Sequence, residues 1–132
     1  MSSIVIGWHN EARNVVAQEY VSAWTWGEVI EAMRVSFDMM KLADKPAALV
    51  VNMSHPEATL VGHESAFAPY QKIRAMVPSN LKVIVAVGVA GALKILAETF
   101  TRAVSRRTIR VEFVDTLADV DRTLEKFYDK GI

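Results

Sequence analysis

The 132-residue chain contains no cysteine, and that absence excludes disulfides, thiolate catalysis and cysteine-ligated zinc. It has no net charge either. Lys and Arg together number 15, as do Asp and Glu, so no long-range field collects nucleic acid on a basic face and a nucleic-acid partner is not expected. Long hydrophobic runs are missing as well: none approaches the ~20 apolar residues of a membrane span. The segment Met1-Ser-Ser-Ile-Val-Ile-Gly-Trp8 lacks the basic region and longer apolar stretch of a signal peptide. The expectation is a cytoplasmic protein without a membrane span. No internal repeat, low-complexity tract or linker divides the chain, and its length suits a single domain over residues 1–132.

Apolar residues, by contrast, are plentiful. They make up 52% of the chain, with a mean hydropathy of +0.19, against about 45–50% in an average domain. A domain of this size hides only roughly two-thirds of its unfolded surface by itself. The excess implies apolar contact with a partner, and a homodimer is the expected state. Met39 and Leu42, off the main helical stripes, are candidates for that contact.

The stretch Leu81–Phe100 organises the rest. Leu81, Val83, Ile84, Val85, Ala86 and Val87 form an apolar run broken only by Lys82. Such a run fits a strand in the middle of a parallel sheet covered on both sides, because a sheet with one wet face would show alternation. Gly88 closes it, and a helix with Leu93, Leu96, Ala97, Phe100 and Val104 inward is predicted to follow. Upstream, Ile4–Ile6 and Val15–Val21 read as a hairpin across the turn-forming Asn10, Glu11 and Asn14. Thr25 and Glu28 have capping-box spacing. They start a helix whose Trp26, Val29, Ile30, Met33, Phe37 and Met40 share a face and which must end before Pro46. Ala47–Val51 is a second buried strand. After the polar stretch Asn52–Glu64, a helix with Pro69 in its first turn and Tyr70, Ile73, Met76 and Val77 inward runs to Pro78. Ile109–Val114 alternates as an edge strand would, and Thr116 to Asp119 caps a last helix with Leu117, Val120, Leu124 and Phe127 on one side. The predicted order is ββαβαβαβα, an α/β fold with a mixed five-stranded sheet. Its first strand is antiparallel and the rest run parallel through right-handed crossovers.

This order, the chain length and the polar loop after the third strand resemble the STAS family, named for sulfate transporters and anti-sigma factor antagonists. The likeness spans roughly Ile4 to Tyr128. Trp24-Thr-Trp-Gly-Glu28 is similar to the opening of the first helix in bacterial single-domain members. In that family the third strand usually ends in Asp, and a later Asp-Ser-Ser-Gly-like segment offers a serine to a partner kinase. Here Asn52 stands at the first place and His63-Glu-Ser-Ala66 at the second, so that Ser65 matches the family's phosphorylated serine. The resemblance implies a STAS-like signalling domain whose loop docks a protein partner, such as a regulatory kinase or an anti-sigma factor.

The docking candidates are Asn52, Ser54, His55, Glu57, Thr59, His63 and Glu64, with Ser65 as phosphoacceptor. A hydroxyl at a helix start lies among free amides that favour phosphate, and serine is also an ordinary N-cap there. His55, Glu57, His63 and Glu64 could in principle hold zinc, but no HExxH spacing sets two histidines on one helix face. No metal or other cofactor is expected. A G-x-S-x-G nucleophile elbow is absent, and no catalytic residue is assigned. Gly88-Val-Ala-Gly91, with Lys94 nearby, could bring amides to an anion, though it matches neither a dinucleotide fingerprint nor a P-loop. Trp8, Trp24 and Trp26 could line an apolar pocket or anchor the core. Arg102, Arg106, Arg107 and Arg110 read as a solvated bend. The expected function is a non-enzymatic protein-interaction domain that docks through the 52–65 loop and the following helix. The alternative is a small-ligand domain holding a lipid or nucleotide.

Overall fold

The computed structural model describes residues 3–61, 67–88 and 109–128. Its strands are β1 (Ile4–Trp8), β2 (Val15–Tyr20), β3 (Ala47–Asn52), β4 (Leu81–Val87) and β5 (Arg110–Val114). The helices are α1 (Trp26–Ala43), α2 (Phe67–Met76) and α3 (Ala118–Tyr128). Sheet order is β1-β2-β3-β4-β5, with β1 antiparallel to β2 and every other neighbouring pair parallel. The fold is therefore α/β with a mixed five-stranded sheet, as expected. The further helix predicted over Leu93 to Val104 lies outside the described residues.

From β2 to β3 to β4 the chain steps in one direction across the sheet, and right-handed crossovers place α1 and α2 on the same face. There Val16, Leu49, Val51 and Ile84 pack with Val29, Met33, Phe37 and Met40 of α1 and Ile73 of α2. On the opposite face Val15, Ala48, Val50, Val83, Val85 and Val87 meet Val120, Leu124 and Phe127 of α3. β3 is buried on both sides from Ala47 to Val51. It is β3, not β4, that occupies the middle of the sheet, so the expected centre shifts by one strand. Both strands are apolar on two faces and read alike in sequence; pairing alone distinguishes them.

α1 starts where the capping box predicts. The Glu28 amide donates to Thr25 Oγ1 (3.2 Å) and the Thr25 amide donates to Glu28 Oε1 (3.2 Å), satisfying two free donors of the first turn. Ser3 Oγ donates to the other carboxylate oxygen of Glu28. The Ser3 hydroxyl foremost, with the Thr25 amide, holds the Glu28 carboxyl below the ordinary carboxylate range. A lowered folded-state pKa contributes stability that is present above the unfolded value and fades as pH falls through the folded one. Asp44 ends the helix in the left-handed region at φ 48, and Asn80 Nδ2 donates to the carbonyls of Met40 (2.8 Å) and Lys45 (2.9 Å).

Three expectations need correction or qualification. Leu117 is 52% exposed: it lies in the turn before α3, where its carbonyl accepts from the Val120 amide, and not on the helix's inner stripe. Ile30 is only half-buried, whereas Ser36 is fully buried in α1. In α2, Pro69 sits in the first turn and Ile73 and the following Val77 are buried, while the side chain of Tyr70 lies outside the described residues.

Ser36 belongs to a buried polar chain that the apolar pattern gave no reason to expect. Tyr20 OH donates to Gln18 Oε1 (3.0 Å), Gln18 Nε2 donates to Ser36 Oγ (2.9 Å) and approaches Met33 Sδ (3.4 Å), and Ser36 Oγ donates to the Ala32 carbonyl (2.7 Å). Each buried polar group has a partner, so the chain avoids the ~1–3 kcal/mol cost of an orphaned one. It also ties β2 to one register against α1. Among the described residues, no helix is long and apolar enough to cross a membrane.

Replacing Thr25 by Ala is expected to cost about 1 kcal/mol through the lost cap, read as a lower denaturation midpoint with an unchanged slope. Burial raises the Tyr20 hydroxyl well above its ordinary 10.0 and raises that of Tyr128 as well. The unfolded chain releases these protons first, so the stability they contribute is full below about 10 and is lost as pH rises beyond it. Alkaline absorbance titration should therefore show fewer than the 3 tyrosines ionising near 10 in the native protein, with Tyr20 ionising only as the fold opens.

Candidate functional site

At the carboxyl end of the parallel strands, β3 hands over to the loop beginning at Asn52. Asn52 Oδ1 accepts from the Ser54 amide (3.1 Å) and from Ser54 Oγ (2.6 Å), a local turn that asparagine favours. The Met53 amide donates to the Val87 carbonyl (3.0 Å), and the Gly88 amide donates to that of Val114 (3.0 Å). These bonds carry the β3-β4-β5 pairing one residue past the strands and bring Gly88 against Ser54.

Gly88 explains itself at that contact. Its φ is +68, and a Cβ there would lie 2.6 Å from Ser54 Cβ and 2.7 Å from Ser54 Cα. Only glycine meets both conditions without strain. The glycine turn thus serves close chain approach, and Gly91 and Lys94, its proposed partners in anion binding, lie outside the described residues.

Beyond Ser54 the loop turns through His55, Pro56 and Glu57, all exposed. The Ala58 amide donates to the His55 carbonyl (3.0 Å), and the Glu57 amide donates to His55 Nδ1 (3.2 Å), which places the ring proton on Nε2. Ala58 is buried and Leu60 half-buried. Between them Thr59, with an exposed side chain, gives its carbonyl to the Trp24 amide (2.9 Å), and Val61 donates to the Trp24 carbonyl (2.8 Å). This isolated parallel bridge between Trp24 and Leu60 fixes the far side of the loop to the start of α1. The predicted irregular stretch is therefore held at Asn52 and at Leu60, with an exposed tip between. Ala58 and Leu60, apolar at alternate positions, were the sequence signal for this short extended piece.

His63, Glu64 and Ser65 lie outside the described residues. Of the tryptophans, Trp24 and Trp26 are buried at 0% and 6% exposure. Tyr20, Trp24 and Trp26 stack edge to face in sequence, at 5.6 and 5.7 Å between ring centres. They act as core anchors, and Trp8 packs half-buried at the end of β1. Among the described residues, no group of three acidic or histidine side chains is placed to hold a metal ion. The strand order never reverses, so the described sheet lacks the switch point that opens a ligand crevice in doubly wound folds.

One tie escaped the sequence reading. His9 Nε2 lies 2.8 Å from Asp121 Oδ1, linking the β1–β2 hairpin to α3 across 112 residues. Separation of that size leaves no local pattern to find. Comparison with family models, with curated proteins and with solved structures returned no match.

Gly88→Ala should destabilise the protein by roughly 1–3 kcal/mol, because the added methyl must displace Ser54 backbone as well as adopt a left-handed conformation. Urea unfolding of the variant and parent checks this.

Proposed function

We propose that this chain is a non-enzymatic protein-interaction domain of STAS-like type, docking a protein partner through the 52–65 loop and α2. The observation that carries the reading is the loop's construction. Its tip presents His55, Pro56 and Glu57 to solvent, while Asn52 and the Trp24–Leu60 bridge hold its two ends on the sheet and on α1. A tip on fixed supports loses little conformational freedom when a partner binds, which lowers the entropic cost of docking.

Phosphorylation of Ser65 by a partner kinase regulates docking in this reading. Support for Ser65 comes from its sequence position, two residues before the described start of α2. The competing Ser54 hydroxyl is already engaged, donating to Asn52 Oδ1, and stands against Gly88. A phosphate near a helix start is favoured by free amides and adds charge to the docking surface. The parent chain, Ser65→Asp and a variant shortened within residues 55–57 should therefore differ in the proteins they capture from the native cell extract. Ser65→Asp is expected to weaken capture at unchanged stability, since Asp caps nearly as well as Ser. Identical captured sets from all three would place the docking surface elsewhere.

A further inference from the structure

The two edges of the sheet are unlike. β5 carries the charged side chains Arg110 and Glu112, which discourage another strand from pairing with it. β1, Ile-Val-Ile-Gly-Trp, has no charge, no proline and no bulge. Hydrogen-bond parity shows which of its groups face outward. The Val21 amide donates to Ser3 and the His9 amide to Val15, so in the β1–β2 register the odd-numbered residues of β1 bond to β2. Ile6 and Trp8 consequently direct their amides and carbonyls away from the sheet, and among the described residues nothing pairs with them.

Beside this edge runs a groove of about 500 Å³ between β1 and α1, with Ile4, Ile6, Ala32 and Val35 on its walls and Glu28 and Glu31 near one end. On the other face of β1, Val5 is 55% exposed. Two residues further on, a Cβ built at Gly7 meets nothing within 4 Å. A protruding side chain and an empty place thus stand on the same face, either side of Ile6.

We propose that β1 is the dimerisation strand of this chain: a second copy pairs antiparallel with it about a two-fold axis at Ile6. Ile6 then exchanges both main-chain bonds with Ile6 of the second copy. Val5 falls opposite Gly7 of the second copy, and the reverse, in non-hydrogen-bonded pairs whose Cα atoms lie only about 4.5 Å apart. The exposed valine fills the space above the glycine, twice over. This self-match is what selects a second copy over an unrelated strand. The helices agree with it. α1 lies over β1 and β2 alike, so the pairing sets the two α1 axes about two strand spacings apart, roughly 10 Å. That is the separation of packed helices, with Ala32 and Val35 toward the crossing. The helices run antiparallel, bringing the end that carries Glu28 and Glu31 toward the other's C-terminal end, beyond which Lys45 is exposed. The result is a continuous ten-stranded sheet, and it does not depend on the role of the 52–65 loop.

Sedimentation of the parent chain at about 100 μM should show a dimer, an affinity within the range of specific contacts. Val5→Lys and Gly7→Val should each raise the dissociation constant by roughly tenfold or more, whereas Leu117→Lys, exposed near the far edge, should leave it unchanged. Gly7→Val is the sharper variant. Valine is favoured in strands and meets no neighbour in the single chain, so the monomer should be no less stable while the dimer weakens. In the parent, amide exchange at Ile6 and Trp8 should slow as concentration rises through the dimer range. A monomer at that concentration, a dimer insensitive to both β1 variants, or rapid exchange of those two amides within a dimer would each overturn the proposal.

Discussion

The structure depends on β3 being apolar on both faces. Ala47 to Val51 have neither a wet side nor an edge, so the strand is stable only with a strand on each flank and helices above and below. Fully burying a valine or leucine is worth roughly 1.5–3 kcal/mol, and β3 supplies three such side chains to the two cores, Leu49 and Val51 to one and Val50 to the other. The remaining elements are arranged around that requirement. Parallel pairing with β2 and β4 demands crossovers, the crossovers supply α1 and α2 on one face, and the chain beyond β5 supplies α3 on the other.

Apolar burial alone would leave the layers free to slide. Two features of a different kind fix their relative positions. The chain from Tyr20 through Gln18 to Ser36 is directional, and a shift of α1 along β2 would orphan buried polar atoms. At the carboxyl end of the sheet, Gly88 admits Ser54 at a distance no other residue tolerates, so the start of the 52–65 loop is held against the end of β4. The Trp24–Leu60 bridge then secures the loop's other side. The loop proposed as the docking surface is thereby a presented tip and not a slack connection.

The proposed dimer strand and the proposed docking loop occupy different parts of the molecule. β1 is the edge of the sheet, and the loop rises from the end of its middle strand. Pairing through β1 would leave the loop accessible in both copies, so a two-fold dimer presents two docking sites. If one partner engages both, the second contact becomes intramolecular and apparent affinity rises without any new type of contact.

The sequence by itself determined the element types, most of their limits and the α/β class. These follow from short-range physics: period-two and helical apolar spacing, the Thr25–Glu28 capping box, and the breaks at Pro46 and Pro78. It also marked 52–65 as the polar connection to watch. Tertiary structure decided what depends on pairing between distant segments. β3 rather than β4 is central because neighbours, not composition, define the middle of a sheet. Ser36 and Gln18 are buried because their partners come from another element, which no local pattern encodes. Trp24 and Trp26 belong to the core because they stack with Tyr20 and Trp24 closes a bridge to Leu60. Leu117 is exposed because the turn before α3 directs it away from the sheet. The open edge of β1 became visible in the same way: an apolar strand looks the same in sequence whether paired on one side or two, and only the hydrogen-bond parity of the folded chain shows which groups are left facing outward.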